Sequence, residues 1–352
     1  MTARAAMADE LALSPTSPTK TFVVEAHVED PLECLRGLTG SGRVEESTDA
    51  FLFKVHTEFG YFWVDQLNPR FWSLHTDMPT KNAGSLVNGW VANRRDLDWM
   101  WLPSDHLRHM WPNAQTRRVR TNFKGTALLG SAGAETEELG FQLSGRNAEA
   151  FLDFLSRSDY RDAVPFDRIE SHIDDPDFGG VREAVSRMGK FVASGDSFPL
   201  HLAFVSRAVS RYSKLVTLCE SKAISWSALG TEDGGGNVMG GPIAIRFSKQ
   251  IHDQDAFLSE LFSSRAPFRL WGRPAVTADG VAEVAAVDLH VGQQLRIDVG
   301  NDWMRIYLEK GGCGNTVARL VSNLQHHFDA ALQMVDPELQ AAISPRPLAS
   351  TA

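Results

Sequence analysis

Three times along the chain a short alternating or apolar run gives way to a polar turn and then to apolar positions at helical spacing. Thr21-Phe-Val-Val-Glu-Ala-His27 is followed by Asp30-Pro31 and LECLRGL, an N-cap carboxylate with proline at the first helical position. Gly140-Phe-Gln-Leu-Ser144 precedes Asn147 and AEAFLDFLSRS, and Pro242-Ile-Ala-Ile-Arg-Phe247 precedes Asp253 and QDAFLSELFSS. In the last two helices Phe151, Leu152, Phe154 and Leu155, and Phe257, Leu258, Leu261 and Phe262, make one apolar stripe.

The stretches after the first and third openings also match in kind. Runs at 50–55 and 61–74 read as antiparallel strands turning at Asn68-Pro69, with a helix over 84–93 behind them. Runs at 268–277, 282–291 and 294–308 read likewise, with Gly300-Asn301 as a turn and a helix over 315–335. The middle differs, with strands around Gly179-Gly180 and 188–193, a long helix over 199–221 and a strand at 223–229.

The pattern predicts an α+β fold of repeated units, each running strand, helix, antiparallel meander, helix, in two lobes. Laid without gaps, 62–91 against 295 onward sets Val64-Asp65 on Ile297-Asp298, Asn68 on Asn301 and Asn82 on Asn315. Glycine- and acid-rich loops at 130–140 and 230–241 mark boundaries. They give units 21–129 and 139–343, the second divisible into 139–230 and 242–343. The ends, 1–20 and 344–352, are rich in Ser, Thr, Pro and Ala and read as disordered tails.

Composition narrows the class. A chain of 352 residues with 43% hydrophobic positions suits two or three domains with substantial cores. The net charge of −9 argues against general attraction to nucleic acid or anionic membrane. Cys34, Cys219 and Cys313 form no CxxC pair, so no disulfide framework or structural zinc site is expected, and a reducing compartment fits. No secretion signal opens the chain, and no run approaches the roughly 18 apolar residues of a membrane span. The chain reads as cytoplasmic.

Candidate chemistry is sparse. Gly311-Gly312-Cys313-Gly314 joins a strand to a helix, but Lys310 precedes the glycines and no GK[ST] follows, so it is not a phosphate loop. It reads as a connector, with an anion seat or a nucleophilic thiol as alternatives. A thiol needs a base in reach, and His326 and His327 lie about 18 Å along the same helix. His290 would serve only if the fold brought it near. His106 and His109 share a helical face without a third ligand in view and read as exposed surface. Asp174-Asp175-Pro176-Asp177 lacks calcium-loop spacing and reads as a solvated turn. No hydrolase, metalloprotease, dinucleotide or kinase motif is present, and no cofactor or metal is expected.

Six of nine tryptophans fall between 61 and 111, more aromatic area than one sheet face hides. Core packing is the default reading of such a cluster, and the surplus, Trp63, Trp72, Trp99 and Trp101, is expected to form a docking surface. The basic run of Arg117, Arg118 and Arg120 reads as a charged edge strand or a polyanion contact. The functional expectation is a non-catalytic adaptor holding a protein partner on the tryptophan-rich sheet. The alternatives are a small-molecule binder with an apolar cavity between curved sheet and long helix, or an enzyme using Cys313.

Overall fold

The alternating runs form strands, and one sheet collects more of them than the loop at 130–140 would suggest. The computed structural model describes residues 2–12, 18–39, 42–108, 110, 111, 114–123, 139–145, 147, 148, 150, 151, 154, 164–228 and 236–344. The predicted helix after Asn147, both glycine-rich loops, His109, Lys124 and the tail from 345 lie wholly or largely outside these residues.

An eleven-stranded sheet gathers β1 (Thr19–Ala26), β2 (Val44–Glu46), β3 (Leu52–Thr57), β4 (Gly60–Asp65), β5 (Phe71–Thr76) and β6 (Leu97–Trp99). It continues through β7 (Gln115–Phe123), β8 (Leu139–Ser144), β9 (Phe166–Asp175), β10 (Gly179–Ser186) and β11 (Lys190–Gly195). The order is β2-β3-β4-β5-β1-β11-β10-β9-β7-β8, with β6 against β1. β1 is its hinge, antiparallel to β5 and β11 and buried at every position. A hairpin of β12 (Ser225–Ala228) and β13 (Gly236–Met239) precedes the second large sheet. That sheet orders β15 (Leu270–Val276), β16 (Ala282–Asp288), β17 (Gln294–Val299), β18 (Trp303–Leu308), β14 (Ile243–Arg246) and β19 (Gln333–Met334).

The helices are α1 (Ala3–Glu10), α2 (Pro31–Thr39), α3 (Thr80–Asn93), α4 (Ser104–Arg108), α5 (Phe198–Ser221), α6 (Gln254–Leu261), α7 (Gly314–His327) and α8 (Pro337–Ile343). Ser197 caps α5 by accepting from Leu200 N, with proline in the first turn. Its apolar face buries Phe204, Ala208, Tyr212, Leu215 and Val216. α7 is buried at every residue and bonded to both sheets, Asn315 Nδ2 donating to Trp99 O of β6 at 3.3 Å and Thr316 Oγ1 to Asp288 of β16 at 2.6 Å. One apolar cluster therefore runs through both sheets.

Two terminal expectations change. Residues 3–10 are helical rather than a loose tail, because Met7 and Leu11 pack with Leu52, Trp63 and Phe198 in a second small core. The helix expected to reach 335 stops at His327, and β19 and α8 follow. Among the described residues no helix is long and apolar enough to cross a membrane.

Candidate functional site

Strand alternation sets Thr21, Val23, Glu25 and His27 on one side of β1 and its extension. Glu25 is wholly buried there, opposite Phe71 of β5 and Asp98 of β6. Arg70 enters from the turn before β5, fixed where Ala26 N donates to Arg70 O at 2.7 Å. His290 comes from the turn between β16 and β17, whose Asp288 Oδ1 accepts from His290 N at 3.1 Å. Cys313 is the N-cap of α7, with its N–H on Gln293 Oε1 at 2.8 Å.

These segments converge. Glu25 Oε1 is 3.2 Å from His27 Nε2, Glu25 Oε2 is 3.2 Å from His290 Nε2, and Cys313 Sγ is 3.5 Å from both carboxylate oxygens and from His27 Nε2. One ligand atom from each of the four residues lies within 4.8 Å of every other. Glu25, His290 and Cys313 are buried, while His27 opens onto a cleft of about 820 Å³ bordered by Glu29, Asp30, Glu33, Arg94 and Asp96.

The electrostatics of the cluster bear on the chemistry open to Cys313. Burial, then the charge of Glu25, pushes the Cys313 thiol far above its ordinary range, with Arg70 opposing. An activated cysteine needs the reverse shift. A catalytic triad also uses both imidazole nitrogens, one toward the nucleophile and one toward the carboxylate. Here the same atom, Nε2 of His27, faces both Cys313 and Glu25. Burial opposes ionisation of Glu25, yet hydrogen bonds from His27 and His290 and the charge of Arg70 hold its carboxyl far below the usual range.

A second polar layer braces the first. Arg319, fully buried, binds Asp98 with Nη1 and Asp288 with Nη2. Asp288 also accepts from Thr316 Oγ1 at 2.6 Å, and Asp98 from Trp101 Nε1 at 3.0 Å and Asn315 Nδ2 at 3.3 Å. Burial disfavours the charge on Asp288, but Arg319 and Thr316 outweigh it and lower its pKa. The glycine that opens α7 is also required: a Cβ on Gly314 would meet Val216 O at 2.2 Å. The connector is thus sterically specified.

The family profile of MJECL33-like proteins matches residues 8–343. The chain belongs to the MJECL33-like family. A relative from Methanocaldococcus jannaschii, the protein MJECL33, is 26% identical over 92% of this chain and 87% of its own length. No solved structure matches.

In this MJECL33-like chain the tryptophans expected to dock a partner are enclosed. Trp72 is 1% exposed, and Trp63, Trp99 and Trp101 are all buried. The indole N–H of Trp63 donates to Glu10 Oε2, that of Trp72 to Pro69 O and that of Trp101 to Asp98 Oδ1, each at 3.0 Å. Their cover comes from segments distant in sequence, α1 over Trp63 and Tyr212 of α5 beside Trp101. Exposed rings lie elsewhere, Trp226 on the hairpin and Trp271 on β15.

Arg117, Arg118 and Arg120 lie on β7, which is paired on both sides and so is not an edge. Arg118 pairs with Glu170 at 3.4 Å, Arg120 Nε donates to Asp167 at 2.8 Å, and Arg117 binds Gln115. Two of the three charges thus face carboxylates, while Arg117 is held only by a neutral amide. His106 is buried rather than exposed, its Nε2 on Ala342 O, because α4 packs against β9 and α8. Sequence reasoning missed Glu25 and His27 entirely and left His290 unplaced. The one available signal was an acidic residue and a histidine at strand spacing in an otherwise apolar run.

Proposed function

We propose that this MJECL33-like protein holds one zinc-type divalent cation between Glu25, His27, His290 and Cys313, and that the cation ties its two large sheets together. The spacing of the donors carries this reading. In a tetrahedral site with Zn–S about 2.3 Å and Zn–N about 2.0–2.1 Å, neighbouring ligand atoms stand about 3.3–3.6 Å apart. The Glu25–His27 and Glu25–His290 contacts are 3.2 Å, the Cys313 contacts to Glu25 and His27 are 3.5 Å, and all four ligand atoms lie within 4.8 Å of one another, so a small inward shift closes the tetrahedron. One thiolate with two imidazoles suits zinc and its borderline neighbours rather than magnesium or calcium.

Charge supports the same choice. Glu25, Glu220 and a Cys313 thiolate against Arg70 leave two negative charges, which a divalent cation cancels. Four protein ligands fill a tetrahedron and leave no place for substrate, so the role is structural or regulatory rather than hydrolytic.

We also read the two-lobed chain as a duplication that supplies two donors from each copy. Residues 19–93 and 243–327 both run strand, helix, four-strand meander, helix, with strand orders β2-β3-β4-β5-β1 and β15-β16-β17-β18-β14. The gapless pairing puts Asn82 and Asn315 in the first turns of α3 and α7.

Cobalt titration of chelator-stripped protein tests the centre. We expect a sulfur-to-cobalt charge-transfer band saturating at about one equivalent. In Cys313→Ser the band should vanish while weak d–d absorption survives. Wild-type protein that shows neither absorption sinks the proposal.

A further inference from the structure

Arg70 stands where a metal's charge would act. Its Nε and Nη2 donate to Glu25 Oε1 at 2.7 and 2.6 Å, and Nη2 is 3.5 Å from Cys313 Sγ. Glu220 grips the far side of the same guanidinium at 2.7 and 3.1 Å, and its Oε1 also accepts from Gly314 N at 2.9 Å. Two of the four donor residues are therefore already in contact with a permanent cation. Glu25 is 0% exposed, whereas the Arg70 side chain is 25% exposed and reaches inward from the surface.

We propose that Arg70 is the resident counter-ion of the centre: it keeps the metal-free site folded and, by opposing an incoming dication, sets how tightly metal is held. This rests on the metal reading above. A buried carboxylate without a positive partner is costly, so some cation must face Glu25 before metal arrives. Arg70 supplies that charge through a planar fork matched to the carboxylate. Once a dication and the thiolate are in place, the guanidinium still faces Glu25 Oε1, now against a positive neighbour. Its tether to Glu220 prevents it from swinging away. The centre is thereby loadable and unloadable without local unfolding, because the site never lacks a counter-charge.

The alternative role for Arg70 is that of an orienting partner, which steadies Glu25 and strengthens metal binding. The two roles predict opposite signs. For a counter-ion, Arg70→Met removes a repulsive charge, and zinc affinity measured by chelator competition should rise roughly tenfold or more. The gap in Tm between chelator-treated and zinc-loaded protein should widen, since the metal-free variant leaves Glu25 with only its imidazole partners and no permanent cation. Arg70→Lys keeps the charge and should bind zinc within about threefold of wild type.

Weaker zinc binding in Arg70→Met, by the roughly 10–100-fold typical of a lost orienting partner, overturns the proposal. So does unchanged affinity. If Arg70→Met folds only with zinc present, that is the counter-ion role in its extreme form. If it folds under neither condition, Arg70→Lys decides, and a tenfold departure from wild type in either direction counts against. A wild-type protein that takes up no zinc overturns the centre and this inference together, whereas a wild type that loads beside an indifferent Arg70→Met overturns this inference alone.

Discussion

Arg319→Met tests the buried polar layer that joins the two sheets. Arg319 has no solvent contact, and its removal leaves Asp98 and Asp288 facing an apolar thioether. Breaking a buried pair by deleting one partner costs about 3–5 kcal/mol, chiefly from the charge left behind. Two carboxylates are orphaned here, but not equally. Asp98 keeps Trp101 Nε1, Asn315 Nδ2, the Trp99 N–H at 2.8 Å and Arg269 at 3.7 Å. Asp288 keeps only Thr316 and the His290 N–H, so it carries most of the penalty.

The lost bond to Phe268 O adds about 1 kcal/mol. We therefore expect a loss of roughly 4–6 kcal/mol at pH 7 rather than twice the single-pair figure. Asp288 sets the sign of the pH dependence. Its folded pKa is depressed, so its contribution is present above the unfolded value of about 3.9 and fades as pH falls through the folded one. In Arg319→Met the part of that contribution due to Arg319 is already absent, so the difference between variant and wild type should shrink below about pH 4. Urea denaturation at pH 7 and pH 3.5, with the slope checked for constancy, measures both quantities. A loss under about 1 kcal/mol at pH 7, or one independent of pH, refutes the claim that this layer is a desolvated ion network. The triple variant with Asp98→Asn and Asp288→Asn should recover much of the loss.

The same geometry makes further outcomes measurable. Gly314→Ala should cost roughly 1–3 kcal/mol in thermal denaturation, since the added Cβ lies 2.2 Å from Val216 O, a backbone atom that cannot yield cheaply; a neutral result would show that α7 shifts freely. Zinc binding at pH 8 should release about one proton, because a coordinated thiol is deprotonated and the Cys313 thiol starts far above that pH. Calorimetry in buffers of different ionisation enthalpy reads that proton, and affinity should rise about tenfold per pH unit over this range. Met7→Ala should cost about 2–4 kcal/mol and red-shift tryptophan emission as α1 loosens over Trp63; wild-type stability would return 1–20 to the status of a tail.

Periodicity made the strands, the meanders and most helices legible, because alternation and helical spacing are local. The covering of surfaces was not. Asn315, Thr316, Arg319, Ser322, Asn323, Gln325, His326 and His327 give no local sign that α7 is enclosed, yet all are buried. The tryptophans misled for the complementary reason. Trp63 is covered by α1 and by Phe198 of α5, and Trp101 lies beside Tyr212 of α5, a segment more than a hundred residues downstream of Trp63. The site was hidden because Glu25 and His27 are separated from His290 and Cys313 by most of the chain, and no motif spans such a gap. Cys313 at a helix start was visible, but its base and carboxylate neighbours were not.

Zinc K-edge absorption fine structure on the loaded protein examines the central claim most directly. We expect one sulfur at about 2.3 Å and three nitrogen or oxygen ligands at about 2.0–2.2 Å, with the sulfur shell lost in Cys313→Ser. A shell of nitrogen and oxygen alone in the wild type, or zinc bound at less than one per chain after loading, would contradict it.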